Sequence, residues 1–222
     1  MTRSLAAGLL DLVLPTSCGG CGEPGTPWCE RCAAQLPASY PLRIPGSPQV
    51  RAVGRYRGPL RAALLGYKER GRRDLGPALA ALLAEAAAEL PGPLVLVPAP
   101  SRPAAARARG GDHVLRLCRA LARAPLQTGA VTVAPVLRAA RGTRDSVGLD
   151  AAGRAANLAG NLRTVARRPP PGTPVVLVDD VVTTGATLRA CTAELTRSAL
   201  RVTAALVLCD ATGGAAGIVA VS

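Results

Sequence analysis

The stretch from Val175 to Thr187 reads VVLVDDVVTTGAT and sets the fold expected of this 222-residue chain. Its first four residues are apolar and predict a β-strand buried on both faces, because such strands are continuous hydrophobic runs. Two carboxylates, Asp179 and Asp180, follow at the predicted carboxyl end of the strand, where open parallel sheets bind ligands. The stretch therefore predicts a parallel sheet with an acidic pair at its ligand-binding edge.

A loop of small and hydroxyl-bearing residues comes next and leads into a helix predicted over 187–200. The loop consists of Val182, Thr183, Thr184, Gly185, Ala186 and Thr187. Gly185 can adopt a positive φ, and consecutive backbone N–H groups at a helix N-terminus bind a phosphate dianion. An acidic pair beside such a loop fits a sugar with vicinal hydroxyls and a phosphate, such as ribose 5-phosphate. In the alternative interpretation Asp180 only caps a helix.

Predicted strands and helices alternate along most of the chain. We expect strands at 51–57, 94–98, 131–137, 175–181 and 202–208, and helices at 59–69, 75–90, 104–123 and 187–200. This alternation predicts an α/β fold, in which helices cover both faces of a parallel sheet. The proline-bearing segment 36–49 is interpreted as a linker. The expected division is an N-terminal module over 1–45 and an α/β domain over 46–222.

Four of the seven cysteines lie close together in the sequence CGGCGEPGTPWCERC. They form two CxxC pairs separated by seven residues: Cys18, Cys21, Cys29 and Cys32. Two such pairs complete a tetrahedral shell of four thiolates, which suits a structural Zn²⁺. The alternatives are two disulfides or a redox-active dithiol, of which the disulfides are disfavoured because no export signal is recognised. The other cysteines stand alone in apolar surroundings and are expected in the core: Cys118, Cys191 and Cys209.

The composition favours anionic ligands. The formal net charge is +13, and Lys68 is the one lysine among 27 basic residues. This arginine excess fits either a nucleic-acid-binding surface or a GC-rich coding bias, and an aromatic content of 2% leaves little for base stacking. Residues 5–13 fit a short amphipathic helix, and no apolar run is long enough to span a membrane. We therefore expect a cytoplasmic protein.

The segment VVLVDDVVTTGAT resembles the phosphoribosyl pyrophosphate (PRPP) motif of type I phosphoribosyltransferases. Together with the four cysteines, it resembles the ComF family of competence-associated, phosphoribosyltransferase-like proteins. VPAPSRPAAARARGGDHV at 97–114 and RGTRDSVGLDAAGRAANLAG at 141–160 are also similar to segments of this family. The resemblance implies a type I phosphoribosyltransferase-like open parallel sheet flanked by helices, with a small N-terminal zinc-ribbon-like module.

The same resemblance implies roles for individual residues. Asp179 and Asp180 would bind the ribose hydroxyls of PRPP and act in catalysis, while the loop 182–187 would hold its 5-phosphate. The loop after an earlier strand, with Ser101 and Arg102, would hold the pyrophosphate. Mg²⁺ would accompany the substrate, bound largely through substrate oxygens and water. The segment 141–157 would be a lid that excludes water, or alternatively an ordinary solvated loop.

The chain departs from the family pattern at two places. Where the family has Arg-Gly-Phe-Asn-Gln, residues 109–113 read Arg-Gly-Gly-Asp-His, and Ser146 replaces a glutamine. These positions lie near the expected acceptor site and lid. His113, the one histidine, is interpreted either as an acid or base on the acceptor side or as a capping and packing residue.

Three functions are consistent with these patterns. The first is transfer of phosphoribose from PRPP to an unidentified nitrogenous acceptor. The second is binding of PRPP, or of a nucleotide containing ribose 5-phosphate, without catalysis. The third is an accessory role in DNA uptake, with single-stranded DNA or DNA-uptake proteins as partners, which follows from the family resemblance.

Overall fold

A computed structural model describes residues 16–101, 103–126, 129–139, 162–165 and 168–213. Its main sheet has the order β1-β2-β8-β7-β3-β4. The strands of this sheet are β1 (Tyr40–Leu42), β2 (Gln49–Arg55), β3 (Leu94–Pro98), β4 (Val131–Val133), β7 (Pro174–Val182) and β8 (Arg201–Asp210). All neighbours pair in parallel except β1, which runs antiparallel to β2. A separate antiparallel pair consists of β5 (Leu137–Ala139) and β6 (Leu162–Thr164).

Helices cover both faces of the main sheet, as expected of the α/β class. They are α1 (Glu30–Ala33), α2 (Gly58–Glu69), α3 (Gly76–Ala87), α4 (Pro103–Ala108), α5 (His113–Leu121) and α6 (Ala186–Arg197), with a 3₁₀ turn at Arg73–Leu75. One apolar layer lies between the sheet and α2, α3 and α5, and the other lies beneath α6 and the β5–β6 pair. The predicted parallel sheet flanked by helices is therefore confirmed.

The strand predicted from Val175 onward lies inside the main sheet, between β8 and β3. Val176 and Val178 face the layer of α2, α3 and α5, whereas Val175 and Leu177 face α6. All four side chains are at most 3% exposed. The continuous apolar run therefore belongs to a strand covered on both faces, as its sequence predicts.

The structure corrects three local predictions. The supposed linker contains β1, in which Leu42 is buried, and Ile44 after the strand is buried as well. The strand expected at 131–137 ends at Val133, and Leu137 begins the separate strand β5. The helix expected at 104–123 is two helices, α4 and α5, interrupted at positive-φ Gly110 and Gly111.

The four-cysteine segment packs against α2 and the 3₁₀ turn. A Cβ placed on Gly19 would lie 2.6 Å from Leu75, and one on Gly20 would lie 2.7 Å from Pro59. Arg72 also donates a hydrogen bond of 2.6 Å to the carbonyl of Ser17. The division at residues 45 and 46 stays a prediction, and β1 of the first segment belongs to the main sheet. In the described ranges, no helix has both the length and the apolarity needed to cross a bilayer.

Candidate functional site

The carboxyl ends of β3 and β7 form a crevice. From β3 the chain passes through α5, on one face of the sheet, to β4; from β7 it passes through α6, on the opposite face, to β8. The two neighbouring strands therefore connect in opposite directions, which defines a topological switch point, where open α/β sheets bind ligands. The backbone N–H of Ala99 donates to Val178 across this boundary, at 2.8 Å. The loops after β3 and β7 thus border one cleft.

The loop after β7 has the backbone geometry of an anion site. Gly185 has a φ of +74° and directly precedes α6, so the predicted positive φ is confirmed. Within the described part of the chain, no acceptor is bonded to the backbone N–H groups of Thr183, Thr184 or Gly185. These groups, together with Asp179, line a small pocket of about 40 Å³. Free N–H groups at a helix N-terminus favour a phosphate there.

The adjacent acidic residues lie on opposite faces of β7, because successive side chains of a strand alternate. Asp179 lines the pocket on the α6 side and is 8% exposed. Its Oδ1 accepts a hydrogen bond of 2.9 Å from the backbone N–H of Asp180. Burial, together with the neighbouring Asp180 charge, raises the pKa of Asp179 well above its usual value.

Asp180 lies on the other face, where two basic side chains meet it. Its Oδ2 is 2.6 Å from Nζ of Lys68 and 2.7 Å from Nε2 of His113. Its Oδ1 accepts a hydrogen bond of 2.7 Å from the backbone N–H of Val181. Burial opposes ionisation of this carboxyl group, but His113 and Lys68 outweigh it, so the pKa of Asp180 lies below its usual value.

His113 connects this carboxylate to the loop after β3. Its Nδ1 lies 3.3 Å from Oγ of Ser101, and the side chain is buried at 4% exposure. Asp112 caps α5 by accepting from the backbone N–H groups of Val114 and Leu115, and it also accepts a bond of 2.9 Å from the N–H of Ser101. His113 is therefore a buried residue of the cleft, and its contact with Asp180 was not predicted from the sequence.

The arginines near the cleft differ in their contacts. Arg109 forms a double hydrogen bond with Glu69, at 2.9 and 3.2 Å, so its charge is already paired. Arg189, which was not predicted as a site residue, donates to the carbonyl of Thr184 at 2.9 Å and places a cation beside the loop 182–187. Its position in the first turn of the helix predicted over 187–200 could have indicated that it lies near this loop. Arg102, Ser146 and the segment 141–157 lie outside the described residues.

The four N-terminal cysteines form a compact thiol cluster. All their Sγ atoms lie within 4.8 Å of one another. The Sγ atoms of Cys18 and Cys32 are 3.7 Å apart, and those of Cys21 and Cys29 are 3.6 Å apart. A tetrahedral zinc site with bonds of about 2.3 Å has sulfur atoms about 3.8 Å apart. The four thiols therefore fit Zn²⁺.

The surroundings favour the thiolate at Cys18 and Cys21, whereas burial raises the pKa of Cys32 above its usual value. The backbone N–H groups of Gly20 and Cys29 both point at Sγ of Cys18, at 3.4 Å. A hydrogen bond from Arg31 lowers the pKa of Cys21 to about 6. Four protein ligands would leave no open coordination position, which is the mark of a structural rather than a catalytic zinc. The three isolated cysteines, by contrast, are buried in the core, as predicted.

Comparison with known proteins gives matches among solved structures. A hypoxanthine phosphoribosyltransferase from Staphylococcus aureus has 18% identity and a TM-score of 0.34, with 64% of this chain and 65% of that chain covered. The hypoxanthine phosphoribosyltransferase of Trypanosoma cruzi has 21% identity and a TM-score of 0.34, with 64% and 66% covered. The chain thus spans slightly less than two thirds of either relative, and superpositions this partial carry no argument about activity. No protein-family model and no curated protein matches the sequence.

Proposed function

We propose that the chain binds PRPP with Mg²⁺ and transfers its phosphoribosyl group to a nitrogenous acceptor, as its resemblance to the ComF family implies. The observation that carries this proposal is the position of the loop 183–187. The N–H groups of residues 183–185, which have no acceptor among the described residues, lie beside a buried acidic pair at the topological switch point of a parallel sheet. A sugar phosphate offers a dianion for the N–H groups and hydroxyls for the carboxylates.

The two loops at the cleft divide the ligand between them. The loop of Thr183 to Thr187 would hold the 5-phosphate, with Arg189 adding positive charge nearby. Asp179 and Asp180 would lie at the ribose, between the two ends of PRPP. The loop after β3, with Ser101 and Arg102, would hold the pyrophosphate. This division follows the positions of β7 and β3, which are neighbours in the sheet.

The acidic pair also suits Mg²⁺, a hard cation that prefers oxygen ligands. Asp180 already has both oxygens engaged, so Asp179 is the carboxylate with the freer oxygen, and phosphate oxygens and water would complete the coordination. Bound in this way, Mg²⁺ would offset the negative charge of the bound PRPP.

The chain's own residues would favour transfer by electrostatics and position. As the bond to pyrophosphate lengthens, the ribose C1 gains positive charge, and the buried carboxylates stabilise that charge in a site of low polarity. The N–H groups of the phosphate loop hold the ribose in a fixed orientation toward the acceptor. The segment 141–157 is proposed to exclude water, since hydrolysis of PRPP competes with transfer.

Calorimetry with PRPP and Mg²⁺ tests the binding step. Wild-type protein should bind, and a combined Asp179→Asn and Asp180→Asn variant should bind at least tenfold more weakly. Folded wild-type protein that shows no heat of binding would end the proposal. Release of pyrophosphate on addition of a nitrogenous base then tests the transfer step. If the protein binds PRPP but releases no pyrophosphate with any acceptor tried, the function would be that of a PRPP-binding regulator.

The link to DNA uptake is a second candidate, favoured by the net charge of +13. A protein that contacts phosphates with several arginines loses affinity for single-stranded DNA steeply as salt rises. We expect such a salt dependence if the basic surface serves this role. Affinity that is undetectable at low salt would contradict it.

A further inference from the structure

The end of α2 is fixed over the cleft by three consecutive residues. The hydroxyl of Tyr67 donates to the carbonyl of His113 at 3.1 Å. Lys68 places Nζ 2.6 Å from Oδ2 of Asp180. Glu69 pairs with Arg109 at 2.9 Å. These contacts tie α2 to the start of α5, to β7 and to the segment before α5, so the ammonium group of Lys68 has a defined position.

Lys68 has donors to spare, whereas Asp180 has few acceptor positions left. Asp180 accepts one donor at Oδ1 and two at Oδ2, out of about four positions that a carboxylate offers. The ammonium has three N–H donors and forms an ion pair with Asp180 at 2.6 Å. Its side chain is 26% exposed, and the described residues supply it with no other acceptor. Lys68 is therefore the member of this ion pair with more hydrogen-bonding positions left for a ligand.

His113 supports Asp180 from the protein interior. Both ring nitrogens are engaged, Nε2 with Asp180 and Nδ1 with Ser101. A buried histidine with two partners holds the carboxylate in one orientation, and the carboxylate in turn holds Lys68. The contact with Ser101 places this network on the side of the loop after β3. The 5-phosphate pocket, which Asp179 lines, is on the opposite face of β7.

The choice of lysine here contrasts with the rest of the chain. Every other one of the 27 basic residues is arginine. A guanidinium group presents a planar fork that favours two parallel bonds to a carboxylate, whereas an ammonium group is a compact point charge. Oδ2 of Asp180 is already shared with His113, so it can give a cation one contact and not a bidentate pair.

We propose that Lys68 binds the pyrophosphate end of the ligand, and that Asp180 and His113 are its positioning residues. This inference rests on the proposed function and adds a residue that the sequence motif does not contain. The chemistry recognised is a diphosphate, alone or attached to a sugar phosphate. The ammonium adds a charge-assisted hydrogen bond to the diphosphate, beside the contact proposed for Ser101.

Calorimetry on Lys68→Met tests this role with three probes: PRPP with Mg²⁺, pyrophosphate with Mg²⁺, and ribose 5-phosphate. We expect at least a tenfold loss of affinity for PRPP and pyrophosphate, which corresponds to about 1.4 kcal/mol. Ribose 5-phosphate should bind within about twofold of wild type, because its site lies across β7. Arg119→Met is the control for net charge, since Arg119 is exposed on α5; it should leave all three affinities unchanged.

Two His113 variants test the positioning role. His113→Leu should weaken pyrophosphate binding, and His113→Gln should restore most of it, because an amide can donate to Asp180 and accept from Ser101. The double variant Lys68→Met, His113→Leu should bind pyrophosphate no more weakly than Lys68→Met, since His113 acts through Lys68. Additive losses would overturn the positioning role.

The outcomes separate this inference from the proposed function. If wild-type protein binds none of the three probes, both fail. If wild-type protein binds PRPP and Lys68→Met binds pyrophosphate as Arg119→Met does, the role of Lys68 is overturned and the proposed function stands. Should Lys68→Met lower the thermal midpoint, Lys68→Arg provides a charged variant; we expect it also to bind pyrophosphate more weakly than wild type, and wild-type affinity would contradict the requirement for an ammonium.

Discussion

Nε2 of His113 lies 2.7 Å from Oδ2 of Asp180, so the one histidine of the chain is bonded to the second carboxylate of the acidic pair. The two residues are separated by 67 positions along the chain. Both are buried, at 4% and 6% exposure, and the bond joins α5 to β7. This contact contributes to the stability of the fold as well as to the site. Asp179 has no such contact, so mutations of the two acidic residues should change the free energy of unfolding differently.

Asp180→Asn should lower the free energy of unfolding at pH 7 by about 1–3 kcal/mol, because it leaves Lys68 and His113 without their charged partner. The carboxylate has a lowered pKa in the folded protein. Its stabilising effect is therefore complete above about pH 4 and is lost as the pH falls through the folded-state pKa. Urea denaturation at pH 7 and pH 3 measures this. An effect as large at pH 3 as at pH 7 would contradict the ionic origin.

Asp179→Asn should raise the free energy of unfolding at pH 7, whereas Asp180→Asn should lower it. The pKa of Asp179 is raised in the folded protein, so this group favours folding below its unfolded value of about 3.9 and loses that contribution as the pH rises through the folded-state pKa. Asparagine does not ionise, so the variant keeps its stability as the pH rises. The variant should match wild type near pH 4 and exceed its unfolding free energy by about 1 kcal/mol or more at pH 7. Urea denaturation of wild type, Asp179→Asn and Asp180→Asn at several pH values measures this. An Asp179→Asn variant less stable than wild type at pH 7 would refute the prediction.

Gly185→Ala should lose both stability and affinity for ribose 5-phosphate. Its φ of +74° costs a non-glycine residue about 1–2 kcal/mol, and a Cβ there would lie 2.2 Å from Cγ2 of Ile44. Gly172→Ala is a matched control, since its φ is +78° and a Cβ would meet nothing within 4 Å. The control should show the backbone cost alone and bind ribose 5-phosphate normally. Equal stability losses in the two variants would show that the Ile44 side chain moves away from the new Cβ without loss of stability.

Purified, reduced protein should contain about one zinc per chain, and Cys29→Ser should lose it. Because Gly19 packs on Leu75 and Gly20 on Pro59, loss of the metal should lower the thermal midpoint of the main transition. Elemental analysis and thermal unfolding measure the two effects. Cys191→Ala, on the buried face of α6, is the control and should retain zinc. Metal-free wild-type protein would rule out the zinc site.

The local features of the site were predictable because each is specified by a short segment. Four apolar residues before the acidic pair predict the buried strand β7, and Gly185 before the helix predicts the positive φ that the structure shows. The spacing of the two CxxC pairs predicts the thiol cluster. In each case backbone preference and side-chain spacing act over fewer than about 15 residues, so no distant contact is needed to define them.

Tertiary structure alone decided the partners of Asp180. Lys68 and His113 come from α2 and α5, and nothing near either residue in the sequence specifies β7 as its neighbour. Tertiary structure also decided that segment 36–49 contributes an edge strand, since Pro41 weakens the local strand signal and pairing with β2 replaces it. The sequence determined which groups are available for phosphate, ribose and metal. Packing of the helices against the sheet determined which of them meet, because such contacts depend on the order of strands and the face to which each connection crosses.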